Sequence, residues 1–212
     1  QLVGSLDSRS ENLDLHIDYI ANECLALGWD YLRKGDLSSA KLATQMVKEV
    51  TILSKDSLIL PYNSSVLELK LGLIYQARES ARNVTKLHPN SNMIENATVF
   101  FEGYLQLGKE YNEIKDQFRA EQALDLAKIV VNSTTKLSSQ YFVLSEAYLQ
   151  IGAYDKANEA LHAAIKSPGF DLELNRDVII KRQLGLMVEY LSRGELHTSS
   201  QAVDMAFSLA KN

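Results

Sequence analysis

The side chains able to do acid–base, metal or nucleophilic chemistry are thinly spread in this sequence. The four histidines, His16, His88, His162 and His197, stand far apart, and no two have the separation that a zinc site requires. Glu159 and His162 form one E-x-x-H, which puts both on one helical face. A di-metal site in a helical bundle needs two such pairs and further carboxylates, so this pair reads as solvated helix surface. The single cysteine, Cys24, excludes an internal disulfide, and its place in an apolar helical stripe marks a buried structural thiol. No glycine-rich phosphate loop, nucleophile elbow or cysteine-nucleophile motif occurs. The many carboxylates read as the wet face of amphipathic helices. No catalytic residue, metal ligand or cofactor-binding residue is assigned, and no cofactor is expected. Four N-x-[ST] sequons, at Asn63, Asn83, Asn96 and Asn132, read as polar helix faces rather than glycosylation sites.

Composition narrows the function classes further. With 212 residues and 46% hydrophobic content, the chain can bury a sizeable core. Only 3 prolines and 10 glycines punctuate it, too few turn residues for an all-β protein of this length, so helix is favoured. A formal charge of −5, with 22 basic residues scattered among 27 acidic ones, offers no cationic surface for a phosphate backbone, and no nucleic-acid partner is expected. No apolar run approaches a membrane span. The chain starts at Gln1, which leaves room for a removed targeting signal or anchor. The compartment therefore stays open between periplasmic or membrane-attached and cytoplasmic.

The organisation comes from an internal repeat. Tyr141 to Gly169 reads as a helix with Leu144 and Tyr148, a turn at Gly152, and a second helix with Ala157, Leu161 and Ala164. Cys24 to Val47 repeats this grammar with Leu27, Gly28, Tyr31, Gly35 and Ala40. A third copy carries Leu107, Gly108, Tyr111, Ala120 and Ala127. A fourth carries Leu186, Tyr190, Gly194 and Ala206, with Ser199 in the alanine slot. Counting Ala77 as the corresponding alanine of a weaker unit, the slots lie 37, 43, 37 and 42 residues apart. In that weak unit a Leu71, Gly72, Tyr75 signature competes with an Ala77, Ala81, Val84 signature. The reading adopted is one long helix from Ser65 to Leu87, opened by a Ser65–Glu68 capping box and stopped before Pro89. Further capping boxes at Ser8 with Glu11 and Asn92 with Glu95 mark other helix starts. Nine helices result, at 9–33, 36–54, 65–87, 92–113, 116–133, 136–151, 154–167, 173–193 and 195–210, and the apolar run Leu58 to Pro61 is expected to pack against them.

This pattern of a large apolar residue and Gly, then Tyr, then small residues where two helices touch, resembles the tetratricopeptide repeat superfamily, in a divergent array with intervals longer than the usual period of about 34 residues. The resemblance implies an all-α fold, a right-handed α-solenoid of about four to five helical hairpins forming one domain over residues 1–212, as part of a larger protein or assembly. Small residues such as Gly28, Ala40, Gly108 and Ala157 let backbones approach, and Tyr31, Tyr111, Tyr148 and Tyr190 are expected to be buried between hairpins. In such arrays the first helix of each hairpin lines a concave surface. That geometry nominates Leu25, Trp29, Leu32 and Arg33; Leu105, Lys109 and Asn112; Phe142 and Leu149; and Leu184, Val188 and Leu191 as a partner-binding groove. The Lys and Asn clamp by which chaperone-binding members hold a terminal carboxylate is missing from this face, which is mostly apolar and suits an amphipathic helix or an extended hydrophobic segment.

The function expected is therefore a non-enzymatic scaffold that binds a protein or peptide. A sensory or regulatory domain of a larger signalling or transcription-regulating protein is the alternative, and an enzyme built on helical repeats is a third. The last helix carries Met205 and Phe207 with no following repeat, so self-association through the C-terminal helix, or contact with another domain, is expected there.

Overall fold

The computed structural model describes residues 2–51, 59–86, 93–133 and 139–211, and the side chains of residues 16–50, 60–83, 97–133 and 139–210. Among the described residues it contains ten helices and no strand: α1 (Leu2–Arg33), α2 (Leu37–Thr51), α3 (Ile59–Lys70), α4 (Ile74–Lys86), α5 (Met93–Glu113), α6 (Gln117–Asn132), α7 (Gln140–Gln150), α8 (Tyr154–Lys166), α9 (Leu172–Ser192) and α10 (Leu196–Lys211). Consecutive helices pair as five antiparallel hairpins, α1–α2, α3–α4, α5–α6, α7–α8 and α9–α10. The chain divides into two compact units, residues 1–137 with three hairpins and residues 138–212 with two.

Every hairpin turns in the same way. Two residues past the end of each first helix stands a residue with positive φ, namely Gly35, Gly72, Lys115, Gly152 and Gly194, at φ between 61° and 77°. The next residue donates its backbone N–H back five positions, from Asp36 to Tyr31, Leu73 to Glu68, Asp116 to Tyr111, Ala153 to Tyr148 and Glu195 to Tyr190, at 2.8–2.9 Å. This closure satisfies carbonyls that the helix end leaves unpaired. Five residues after each turn residue comes the small slot, Ala40, Ala77, Ala120, Ala157 and Ser199, all buried. The irregular spacing is thus a true register, with the extra residues taken up elsewhere in the longer repeats.

The second hairpin corrects the sequence reading. The segment 65–87 is not one helix: it breaks at Gly72, whose φ of +76° ends α3 and lets α4 begin at Ile74. Gly72 is a turn glycine rather than a packing glycine, and Tyr75 is exposed. Ser65 is no N-cap either, because it lies inside α3, where its hydroxyl donates to Tyr62 O at 2.6 Å and sits 2.5 Å from Tyr104 Oη. Ser8 likewise lies inside α1 rather than at its start. Asn92 falls outside the described residues, and α5 begins directly after it. The apolar run enters the first turn of α3, and from it Leu60 packs into the core with Ala21, Cys24, Leu25, Val47 and Leu67. Leu58 lies outside the described residues.

In the first unit, stacking continues through the third hairpin. Tyr62 of α3 stacks on Phe100 of α5 with ring centroids 4.8 Å apart, and its hydroxyl occupies the space where a Cβ at position 103 would sit, so a side chain in place of Gly103 would displace the Tyr62 ring. Between second helices, Arg78 of α4 reaches Gln122 and Asp125 of α6 at 2.8 and 2.9 Å. The second unit has its own core around Leu161, Ile179 and Leu209, flanked by Phe142, Ile165, Phe170 and Met205. Tyr111, Tyr148 and Tyr190 are buried, whereas Tyr31 is only half-buried.

Candidate binding faces on the first helices

Each unit presents its own face of first helices. In the first unit α1, α3 and α5 supply it. Leu25 is 4% and Leu105 7% exposed, so neither is available to a partner, and both leave the nominated groove. The reason is that α1 packs on both α2 and α3, and α5 packs on α6 while taking the stack of Tyr62. Each therefore buries two stripes where the sequence pattern suggested one. Trp29 and Leu32 are half-buried and pack against the core of the first two hairpins. The ammonium of Lys70 lies 5.2 Å from the Trp29 ring centroid, so a cation from α3 covers part of this ring. Arg33 is exposed and pairs with Asp30. Lys109 is exposed and Asn112 half-exposed at the far end of α5.

In the second unit α7 and α9 supply the face. Phe142 is half-buried, with the Arg182 guanidinium 4.0 Å from its centroid and the Phe170 ring 5.5 Å away. Arg182 is buried and also pairs with Glu146. Burial pulls its pKa below the ordinary guanidinium value, and Glu146 opposes that shift. Leu149 is half-buried. Leu184, Val188 and Leu191 are exposed, Val188 by 60%, and Leu174 and Val178 extend the same row toward the start of α9. The spacing of this row, 174, 178, 184, 188 and 191, keeps it on one side of the helix. Gly185 lies beside it, and a Cβ there would meet nothing within 4 Å.

Two features of the structure escaped the sequence pattern. The first is the reach of the exposed row on α9 down to Leu174 and Val178. The second is Glu68. Nine residues before each small slot stand Tyr31, Glu68, Tyr111, Tyr148 and Tyr190, so the second hairpin carries a glutamate in the tyrosine position. Counting back from Ala77 is the signal that would have found it. Among the described residues no group of His, Cys, Asp or Glu is placed to hold a metal ion, and no helix is long and apolar enough to cross a membrane.

No protein-family model matches the chain, and no curated protein does. Solved structures similar to it include a crystal structure of MamA protein, with 21% identity over 91% of this chain and 92% of that one at a TM-score of 0.37. Another is MamA 41-end from Desulfovibrio magneticus RS-1, with 19% identity, 91% and 96% coverage and a TM-score of 0.35. A third is BtubC (BKLC) from P. vanneervenii, with 15% identity, 96% and 86% coverage and a TM-score of 0.37. Similarity at this level says nothing of a shared partner.

Proposed function

We propose that this chain is a divergent tetratricopeptide-type scaffold that binds a helical or extended apolar segment of a partner protein along its first helices, and that it is not an enzyme. The observation that carries the reading is the row of exposed apolar side chains on α9, Leu174, Val178, Leu184, Val188 and Leu191. Apolar side chains gathered on one side of a helix mark an interaction surface, whereas single exposed ones need no explanation. The open space beside Gly185 supports the reading, since a glycine in a helix interior costs about 1 kcal/mol against alanine and lets a second backbone come close. In the first unit Trp29, Leu32, Arg33, Lys109 and Asn112 are the residues still accessible to such a segment, with Trp29 as its aromatic anchor.

The test is capture of partners from the native source by the wild type and by a double variant, Leu184→Asp with Val188→Asp. Both positions are exposed, so the melting midpoint should stay within about 2 °C while capture falls by about tenfold or more. Equal capture by both proteins would remove α9 from the binding face. The exposed Phe207 side of α10 is a second contact in this reading, for another copy of the chain. It predicts a hydrodynamic mass that rises with concentration in the wild type and not in Phe207→Ser.

A further inference from the structure

Glu68 is fully buried in the seam between the first two hairpins, at 0% exposure. Its surroundings differ from those of the four tyrosines in kind. Ser64 stands where the other four hairpins have Leu27, Leu107, Leu144 and Leu186, and Ser80 where they have Ala43, Ala123, Ala160 and Ala202. Lys48 of α2, its side chain one-third exposed, places Nζ 3.0 Å from Glu68 Oε1. Oε2 and the Ser64 hydroxyl are buried with no hydrogen bond of ordinary geometry. A buried carboxylate with one cation and spare acceptor capacity holds its charge poorly, because the lost hydration is only partly replaced.

We propose that Glu68 makes the junction between the first and second hairpins a proton-operated joint: with the proton bound α3 seats against α1 and α2, and its loss leaves a charge in the seam that Lys48, the one cation beside it among the described residues, compensates only in part, loosening α3. The groups acting on Glu68 are Lys48 from α2 and the Tyr104 hydroxyl from α5. α4 offers Ser80, and α1 and α6 place no charged side chain among the groups that act on it. Burial pushes the Glu68 carboxyl above the ordinary glutamate value, against the opposing pull of Lys48, Ser80 and Ser64. The sign follows. A group whose folded value is raised contributes stability that is fully present below its unfolded value, near 4.5, and is lost as pH rises through the folded value.

The joint has a built-in reporter. Trp29, the only tryptophan, packs on the core formed with Leu60 and Leu67 of α3, and Lys70, two residues beyond Glu68, holds its ammonium over the ring. A shift of α3 changes that contact. Trp29 belongs to the candidate binding face, so a bearing on partner capture rests on the proposed function, whereas the joint does not.

The experiment is Trp29 fluorescence and thermal melting of the partner-free chain between pH 4.5 and 8, for the wild type, Glu68→Gln and Lys48→Met. The wild type should show one emission step with its midpoint above pH 4.5. Glu68→Gln should lack the step, keep the acid-form emission at pH 8 and melt higher than the wild type there, while the two melt alike at pH 4.5. Lys48→Met, which keeps the carboxylate and removes its cation, should move the step to higher pH. A wild type without a step, or a Glu68→Gln protein that retains it, overturns the joint. Should Glu68→Gln not fold, a step in Lys48→Met unmoved from the wild type overturns it equally.

Discussion

The second and fourth hairpins share their backbone and differ in their seams. Both turn on a glycine at φ +76°, at Gly72 and Gly152, and both set an alanine five residues later, at Ala77 and Ala157. In the fourth, the first helix brings Leu144, Ser145 and Tyr148, all buried, and the Ser145 hydroxyl donates to Ala157 O at 2.8 Å. In the second, Ser64, Ser65 and Glu68 occupy those positions, equally buried. Ser65 turns its hydroxyl to Tyr62 O and Tyr104 rather than to the facing helix. The turn and the small slot therefore specify the hairpin, because they set where the chain reverses and how closely the two helices approach. The seam residues set something else, namely how firmly one hairpin holds the next. A tyrosine fills its seam with apolar area and keeps only its hydroxyl to satisfy, as Tyr190 shows beside Asp155. A glutamate depends on a partner cation.

That contrast can be broken at the seam. Lys48→Met takes the cation from Glu68, which at pH 8 must either bear an unpaired charge or take up a proton. Removing one partner of a buried pair costs about 3–5 kcal/mol, and the partial exposure of Lys48 puts this case near about 3. Urea denaturation checks it, and a loss no larger than that of an exposed lysine would show that Glu68 does not depend on Lys48.

The shared part of the comparison breaks next. Ala157→Leu should overpack the α7–α8 contact, where Ala157 is completely buried beneath Ser145, at a cost of about 1–3 kcal/mol. An unchanged melting midpoint would remove the small slot from the account of both hairpins.

The smallest expected effect sharpens the role of the turn. Lys115 alone among the turn residues is not glycine, yet it holds φ at +61°. The left-handed conformation costs an L-residue about 1–2 kcal/mol, and glycine's greater freedom in the unfolded chain offsets about half of that. Lys115→Gly should therefore stabilise by under about 1 kcal/mol, read as a small rise in the denaturation midpoint. A loss of stability would mean that the third turn is held by contacts of the lysine side chain rather than by backbone closure.

Much of the architecture was legible in the residues themselves. The small slots at Ala40, Ala120, Ala157 and Ser199 and the turns at Gly35, Gly152 and Gly194 are local requirements of reversing and pairing two helices, and local requirements leave fixed spacings in a sequence. The weak unit was misread because a leucine-glycine-tyrosine triplet, Leu71, Gly72 and Tyr75, imitates the packing signature. Residue type does not say whether a glycine is chosen for its missing Cβ or for its positive φ.

The sequence by itself determined an all-α chain of repeated hairpins, with its small slots in register. Only the tertiary structure decided which apolar residues stay open. Leu25 and Leu184 are the same residue at the same distance before their small slots, Ala40 and Ser199, yet Leu25 is buried among α1, α2 and α3 while Leu184 is exposed on α9. It also decided that Glu68 stands buried with Lys48 as its cation, for the two are 20 residues apart in the chain and meet only because one hairpin packs on the next. Periodicity records the geometry of one helix, whereas exposure and ion pairing depend on which neighbour lies across each face, and that neighbour comes from another part of the chain.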